Sequence, residues 1–353
     1  MSYPRITVDL EKLESNVRAV VAHCKKENIF ISGVTKAFCG NPKIAQAYIN
    51  GGVRYLADSR LENLKKMKDL DVEKMMLRLP MISEADELIK YAEFSLNSEY
   101  ETMRALSEAA IRAGKIHKVI IMLDLGDLRE GFFYEEDLLN TVEKSMKLEG
   151  IKIAGLGTNM ACYGGVIPDE ESVEKFEYYE KLLREKFDLD FEILSGGNSA
   201  TTHLIEKKAT GIMNNLRLGE TLLIGREPSY DQNLPATVED AFNLEVEIVE
   251  IKEKPTKPVG KIGKDAFGNI PYYEDKGVRK RMICAIGKQD IDFGTMFPYD
   301  EKIEIFGGSS DHIILDGTES DIDYKVGDIV KFRLIYVSIL RAMTSEFVEK
   351  VLL

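Results

Sequence analysis

The sequence is poor in cysteine and histidine, and it has no long apolar run. Its four cysteines (Cys24, Cys39, Cys162 and Cys284) and four histidines are scattered, without a CxxC pair. This pattern argues against a zinc site or other metal centre, and it indicates reduced thiols in a cytoplasmic protein. The longest apolar run is shorter than the roughly 18 residues of a membrane span, and the N-terminus lacks a signal-peptide stretch.

Positive charge is scarcer than negative charge. The 47 Lys and Arg residues face 60 Asp and Glu residues, which gives a net charge of -13. Such a surface repels nucleic-acid phosphates and anionic lipids, so neither a nucleic-acid nor a membrane partner is expected. The length of 353 residues allows two domains, and the 44% of hydrophobic residues is ordinary for a globular protein.

Over the first two-thirds of the chain, short apolar runs alternate with longer segments of helical periodicity, such as 10–24, 99–113 and 172–187. The runs that predict strands are residues 30–34, 53–57, 75–79, 94–97, 119–124, 151–157, 191–195 and, more weakly, 216–224. Eight strands alternating with helices predict an α/β fold, a (β/α)8 TIM barrel over residues 1–230. A doubly wound open sheet is the alternative.

Beyond Gly225 the pattern changes. Residues 226–241 read as a connection, and residues 242–251 then alternate apolar and acidic side chains, as in a strand with one buried face. Further strand candidates, separated by Gly and Asp turns, are 281–286, 303–306, 312–315 and 329–335. The sequence therefore predicts a smaller, mainly β C-terminal domain over residues 231–353.

Lys36 stands where the first predicted barrel strand ends. Chemistry in such barrels lies at the carboxyl ends of the strands. A lysine amine removed from water loses its proton more readily, and it can act as a nucleophile, a base or a Schiff-base anchor for pyridoxal phosphate. A surface lysine that opens a loop is the plain alternative.

Two other strand ends carry candidate ligand groups. Ser195-Gly196-Gly197-Asn198-Ser199 precedes a predicted helix, and its exposed amides would suit a phosphate, although it could be a simple capping turn. Arg217 lies on the last predicted barrel strand, where a buried cation needs an acceptor. A pyridine nitrogen is one possible acceptor, and a structural ion pair is the other.

Together these sites resemble the fold type III pyridoxal-phosphate enzymes of the alanine racemase group, over the whole chain. The runs that carry the resemblance are Val34-Thr35-Lys36-Ala37, Gly196-Gly197-Asn198-Ser199, Arg217-Leu218-Gly219 and Gly287-Lys288-Gln289-Asp290. Longer runs are similar to the ornithine racemase branch, namely Ala57-Asp58-Ser59-Arg60, Asp124-Leu125-Gly126-Asp127-Leu128-Arg129-Glu130-Gly131, Cys162-Tyr163-Gly164, Asp265-Ala266-Phe267-Gly268-Asn269 and Ala285-Ile286-Gly287-Lys288-Gln289-Asp290.

The resemblance implies a cofactor and the residues that hold it. Lys36 would carry pyridoxal 5'-phosphate as a Schiff base and act as one of two catalytic bases. Arg217 would hydrogen-bond the pyridine nitrogen and keep it unprotonated, which favours racemisation over transamination. Arg129 would steady the substrate carboxylate. The other implied cofactor-binding residues are Asn159, Asn198, Ser199, Gly219 and Glu220.

Two positions depart from alanine racemase. Lys288 stands where a tyrosine from the neighbouring subunit is the second base, and Gly40 stands near the place of a phosphate-binding tyrosine. The resemblance therefore predicts Lys288 of a neighbouring subunit as the second base, in a symmetric homodimer with shared active sites. His312, Cys162 and Tyr163 are alternative bases, and Lys288 could instead bind substrate or an interface.

The resemblance implies the interconversion of L- and D-ornithine by proton transfer at Cα through a substrate–cofactor Schiff base. The basic side chain of this substrate needs an acidic partner, for which Asp290, Asp311 and Glu220 are candidates. The alternatives are an alanine or broad-specificity racemase, a non-catalytic pyridoxal-phosphate-binding protein and a decarboxylase of the same fold. The long segment after Gly225 argues against the non-catalytic protein.

Overall fold

The computed structural model describes residues 2–265, 267–268, 270 and 272–353. Ala266 and Asn269, which belong to one of the ornithine racemase-like runs, lie outside the described residues. The chain divides into two compact units. One unit is Glu11–Val238, and the other combines the residues up to Leu10 with Glu239–Leu353.

The first unit contains a closed barrel of eight parallel strands, in which the first strand pairs with the last. The predicted (β/α)8 barrel is thereby confirmed. An initial strand, β1 (Arg5–Val8), precedes the barrel strands along the chain. The barrel strands are β2 (Phe30–Val34), β3 (Tyr55–Asp58), β4 (Lys74–Met76), β5 (Phe94–Asn97), β6 (His117–Leu123), β7 (Ile151–Thr158), β8 (Ile193–Ser195) and β9 (Asn215–Leu218).

Helices precede and follow these strands. They are α1 (Leu10–Cys24), α2 (Pro42–Gly51), α3 (Leu61–Lys66), α4 (Ala85–Tyr91), α5 (Tyr100–Arg112), α6 (Glu135–Ser145), α7 (Glu170–Phe187), α8 (His203–Glu206) and α9 (Glu220–Ile224). The weak run at 216–224 is therefore a strand followed by a helix, with Gly219 as the helix N-cap. Among the described residues, no helix combines the length and apolar character that a bilayer crossing requires.

The barrel interior is packed with apolar side chains. A buried cluster consists of Val34, Tyr55, Ala57, Met75, Phe94, Leu96, Ile120, Met122, Ala154 and Ile193. Inward-facing residues of parallel strands form such layers in barrels of this kind, so the barrel is a core and its mouth is the place for chemistry.

After the barrel, the regular elements of the described chain are mainly β-strands. A short hairpin, β10 (Arg226–Glu227) and β11 (Gln232–Asn233), still belongs to the first unit. The remaining elements are β12 (Phe242–Pro255), β13 (Val278–Cys284), β14 (Met296–Pro298), β15 (Glu304–Gly308), β16 (Ile313–Asp316), β17 (Ile329–Leu334), α10 (Tyr336–Thr344) and β18 (Glu349–Leu352). Their sheet has the order β14-β17-β12-β13-β16-β15, and it is antiparallel along this path.

The N-terminal strand belongs to this β unit, whereas the sequence placed residues 1–230 together in a barrel domain. Strand β1 pairs antiparallel with β12, where Ile6 lies opposite Leu244. It also pairs parallel with β18, where Ile6 lies opposite Lys350. These backbone hydrogen bonds tie the first residues of the chain to its last residues, and no local sequence pattern reports such a pairing.

Candidate active site

Lys36 lies at the carboxyl end of β2, where it begins a short 3-10 turn, Lys36–Phe38. The preceding residue, Thr35, is fully buried. Its hydroxyl donates to the Asp58 carboxylate at 2.6 Å, and its amide donates to the Ala57 carbonyl at 2.9 Å. The backbone at Lys36 is therefore tied to the end of the neighbouring strand β3.

Asp58 is a buried carboxylate that accepts hydrogen bonds at the carboxyl ends of β2 and β3. Besides Thr35, it accepts hydrogen bonds from the amide of Arg60 at 2.9 Å and from the side-chain amide of Asn63 at 3.1 Å. Burial raises the pKa of Asp58 above its ordinary value, and the hydrogen bonds from Thr35 and Asn63 act against that rise. The sequence analysis used Asp58 only as part of a family-like run and missed this supporting role.

Arg217, on β9, carries a guanidinium buried inside the barrel, with 4% of the residue exposed. One nitrogen donates to the Ser195 hydroxyl at 2.6 Å, and another donates to the Thr158 carbonyl at 2.7 Å. Within the described chain, Arg217 pairs with no carboxylate. The structural ion pair, which the sequence analysis gave as an alternative role for Arg217, is therefore not found there. Burial lowers the pKa of Arg217 to about 10, which leaves it charged at neutral pH.

The turn after β8 is hydrogen-bonded to the first turn of α9. Gly197 has φ of +120°, a conformation that favours glycine. Asn198 caps the turn that follows by accepting from the amide of Ala200 at 2.8 Å. The Ser199 hydroxyl oxygen accepts from the amide of Thr221 at 3.2 Å, which leaves the Ser199 hydroxyl hydrogen to donate.

Several donors at this end of the barrel have no acceptor in the part of the chain that the structure describes. The side-chain nitrogen of Asn159 and the hydroxyl of Thr158 are buried and unpartnered, although Asn159 accepts from the Asn198 side chain at 3.1 Å. The backbone amides without an acceptor are those of Gly197, Asn198, Ser199, Gly219 and Glu220. Because unmet donors are unfavourable, this set suits an anionic ligand with further acceptor atoms.

Arg129 follows β6 and is held by its neighbour in sequence. Its Nε and Nη2 both donate to the Glu130 carboxylate, and its Nη1 lies 2.8 Å from the Cys162 sulfur. The bond to Glu130 raises the pKa of Arg129. The structure thus places Arg129 beside Glu130 and Cys162, and its role at a substrate carboxylate stays a prediction. Sequence reasoning did not single out Glu130, because an acid next to an arginine is common.

Gly40 occupies the place where the family pattern led us to look for a tyrosine. Its φ is +61°, and a Cβ atom there would lie 2.7–2.9 Å from Asn63 atoms, including backbone. Both features exclude a side chain at this position. A tyrosine side chain at this position would therefore collide with α3.

The β unit carries Lys288 on the loop after β13. The amide of Lys288 donates to the Ser309 carbonyl at 3.0 Å, and its ammonium lies 4.2 Å from the ring centroid of Phe267. Asp311 accepts from the Ser309 hydroxyl at 2.7 Å and pairs with His312 Nδ1 at 3.2 Å. Lys288, Asp311 and His312 therefore lie on two adjoining loops of the same unit.

Asp290 has a different environment. It is 4% exposed, and its carboxylate accepts from the Ser345 hydroxyl at 2.6 Å. Asp290 is thus engaged inside the β unit, which gives no support to its predicted contact with substrate. Cys162 and Tyr163, the alternative bases from the barrel, are exposed loop residues.

Glu220 begins α9 beside the open amides. Burial raises the pKa of this carboxyl to about 7; Arg226 acts against the rise, and the carboxylates of Asp231 and Glu227 add to it. Glu220 is therefore only partly ionised at neutral pH. Its side chain is a weaker counter-ion for a basic substrate than the sequence suggested.

The fold is shared with solved racemases. The alanine racemase from Bartonella henselae with covalently bound pyridoxal phosphate matches with a TM-score of 0.76 at 18% identity, covering 100% of both chains. The sequence matches the family model for the alanine racemase N-terminal domain over residues 8–227. It is 48% identical to the ornithine racemase of Acetoanaerobium sticklandii over 99% of this chain and 100% of that one. It is 39% identical to the lysine racemase of Thermotoga maritima over 99% of each.

The structural similarity identifies the class of protein by its architecture. This is a barrel followed by a β domain, as in fold type III enzymes. The match of the family model to more than half of the chain settles the membership. The chain belongs to the alanine racemase family, which confirms the resemblance found in the sequence. The roles of the individual site residues stay predictions.

The substitution Glu220→Gln should stabilise the cofactor-free protein at high pH. The folded-state pKa of about 7 lies above the ordinary 4.5, so ionisation destabilises the fold as pH rises through this range, and below it the carboxyl has no effect. We expect about 1–3 kcal/mol of added stability near pH 8 and none near pH 4.5, measured by urea unfolding. The exposed Glu174→Gln is the control, and an equal gain at both pH values would contradict the prediction.

Proposed function

We propose that this protein is a pyridoxal-phosphate-dependent amino-acid racemase that interconverts L- and D-ornithine. The observation that carries the proposal is the buried Arg217 cation, which has no carboxylate partner in the described chain and lies on the strand paired with the one that ends before Lys36. An acceptor atom of a bound ligand would complete it. The 48% identity with an ornithine racemase over nearly the whole chain supports ornithine as the substrate.

The residues at the barrel mouth fit the cofactor. Lys36 would hold it covalently, and the open backbone amides with the Ser199 hydroxyl would bind its phosphate. A guanidinium has only donors, so a ring nitrogen facing Arg217 would have to be an unprotonated acceptor. When bound, the cofactor withdraws electrons from the substrate and makes its Cα proton more acidic.

Proton transfer on both faces of Cα requires two bases. Lys36 would take or return the proton on one face. Lys288 of a second copy would serve the other face, which makes the active unit a symmetric homodimer. Arg129 would orient the substrate carboxylate, since Glu130 and Cys162 use three of its five N–H groups and leave two.

Lysine is a second candidate substrate, and the 39% identity with a lysine racemase supports it. Lysine differs from ornithine by one methylene. A single methylene changes substrate preference by only about 1–3 kcal/mol, or roughly 10–200-fold. A site for one of these amino acids should therefore also process the other.

A cytoplasmic location fits this proposal. Cys24, Cys162 and Cys284 are free thiols, which a reducing compartment preserves. The net charge of -13 favours a small-molecule substrate over nucleic acid or an anionic membrane as partner.

The substrate proposal predicts a definite order of activities. With pyridoxal phosphate added, ornithine should show the highest kcat/KM and lysine should follow within about 200-fold. Alanine and serine should be slower, because they lack the basic side chain. Chiral chromatography of each incubated enantiomer measures this. An enzyme that leaves ornithine optically pure would contradict the proposal.

The substitution Lys36→Ala should abolish both cofactor attachment and activity. Borohydride reduction of the cofactor-loaded protein, followed by peptide mass spectrometry, should place the pyridoxyl label on Lys36. The variant should carry no label and lose at least about a thousandfold in kcat. The exposed Lys43→Ala is the matched control, and a label on another lysine would refute the assignment.

The substitution Lys288→Ala should affect one face of the reaction. In deuterated water, Cα exchange from one enantiomer of ornithine should fall by at least about a hundredfold, whereas exchange from the other should persist through Lys36. NMR of the recovered substrate measures both rates, with the exposed Lys325→Ala as control. Near-wild-type exchange from both enantiomers would remove Lys288 as the second base.

A further inference from the structure

Asp127 lies two residues before Arg129, in the loop after β6. Only 1% of Asp127 is exposed, and its carboxylate receives backbone amides from a different loop, the one after β7. The amides of Tyr163 and Gly164 donate to it at 2.9 and 3.1 Å. Those of Cys162 and Val166 donate at 3.3 Å. One side chain thus binds four backbone amides of the β7 loop, residues 159–166.

The negative charge of Asp127 strengthens its hydrogen bonds with the amides of the β7 loop. Burial by itself raises the pKa of Asp127, but the hydrogen bonds from the amides of Tyr163, Val166, Gly164 and Cys162 outweigh it and leave the pKa below its ordinary value. The carboxylate therefore stays ionised at neutral pH. Hydrogen bonds to an ionised acceptor are about twice as strong as bonds between neutral groups.

The loop that Asp127 holds reaches Arg129. Cys162 donates its amide to Asp127 at 3.3 Å, and its sulfur lies 2.8 Å from Arg129 Nη1. The other side of the guanidinium is taken by Glu130. Arg129 is therefore held from two sides, directly by Glu130 and, through the β7 loop, by Asp127.

The close contact at Gly164 shows how tightly the two loops meet. A Cβ atom at Gly164 would lie 2.8 Å from the Asp127 carbonyl oxygen and 3.2 Å from its carboxylate. A larger residue would push the β7 loop away from Asp127. Gly164 thus allows the amides to reach the carboxylate.

From these contacts we infer that Asp127 is a positioning residue: it fixes the β7 loop against the β6 loop and so holds Arg129 where it can bind the substrate carboxylate. This inference rests on the proposed racemase function for its substrate, but its structural part can be measured without activity. Asp127 would act through Arg129 and would not touch the reacting atoms. Its loss should weaken substrate binding and spare the cofactor.

The test compares Asp127→Asn with Asp137→Asn, an exposed acidic residue on α6. Asparagine keeps one acceptor oxygen but replaces the other with an amide NH2 donor, which cannot accept from the backbone amides. Hydrogen exchange at residues 162–166 of the cofactor-loaded protein should be about tenfold faster or more. The KM for ornithine should rise about tenfold or more, while kcat and pyridoxal-phosphate affinity stay within about threefold.

A second variant, Gly164→Ala, displaces the loop but keeps the carboxylate. It should reproduce the faster exchange and the higher KM even if Asp127→Asn does not fold. Wild-type exchange rates in the variants, or a fall in kcat at unchanged KM, would overturn the inference. Faster exchange in the variants, together with a wild-type enzyme that does not racemise ornithine, would support the contact between Asp127 and the β7 loop. It would contradict both the proposed function and the part of the inference that concerns substrate.

Discussion

The buried guanidinium of Arg217 is the constraint on which the barrel mouth depends. Withdrawing a cation from water is costly unless its donors are met. The structure meets some of them with the Ser195 hydroxyl and the Thr158 carbonyl. Ser195 in turn donates to Asn215, whose side chain donates to Ser32, so strands β2, β8 and β9 share one polar network. A cation held this way, with no carboxylate partner among the described residues, favours a ligand acceptor. It also explains why the site is polar inside an otherwise apolar barrel.

Two buried aspartates place the other charged groups around this centre. Asp58 fixes the turn that begins at Lys36, and Asp127 fixes the loop that contacts Arg129. Their pKa values move in opposite directions for one physical reason, the balance between burial and hydrogen bonding. Burial dominates at Asp58 and raises its pKa, whereas backbone amides dominate at Asp127 and lower its pKa. Neither aspartate needs to contact a substrate to matter for the site.

Local patterns were enough to predict the barrel, because buried parallel strands are short apolar runs. Strands β2 and β5 begin and end where the sequence predicted. The sequence did not predict that β1 joins the β unit, because strand pairing over a long sequence separation determines this. It also read residues 216–224 as one strand, whereas these apolar residues form the strand β9 and the helix α9. Lys36 and Arg217 were recognisable because each follows or lies within an apolar strand, where burying a charge is costly. Asp127 was not, since its partners lie some 35 residues further along the chain and only the fold brings them together.

The proposed second base, Lys288, stands at a position where this chain departs from the family pattern. Lysine and tyrosine have similar ordinary pKa values, about 10.4 and 10, but opposite charge behaviour. A tyrosine that has given up its proton is an anion, whereas a lysine that holds its proton is a cation. The Phe267 ring lies under the Lys288 ammonium, and an aromatic face attracts a cation. Phe267 thus suits a base that must become cationic when it takes the proton from Cα, a demand that a tyrosine would not make.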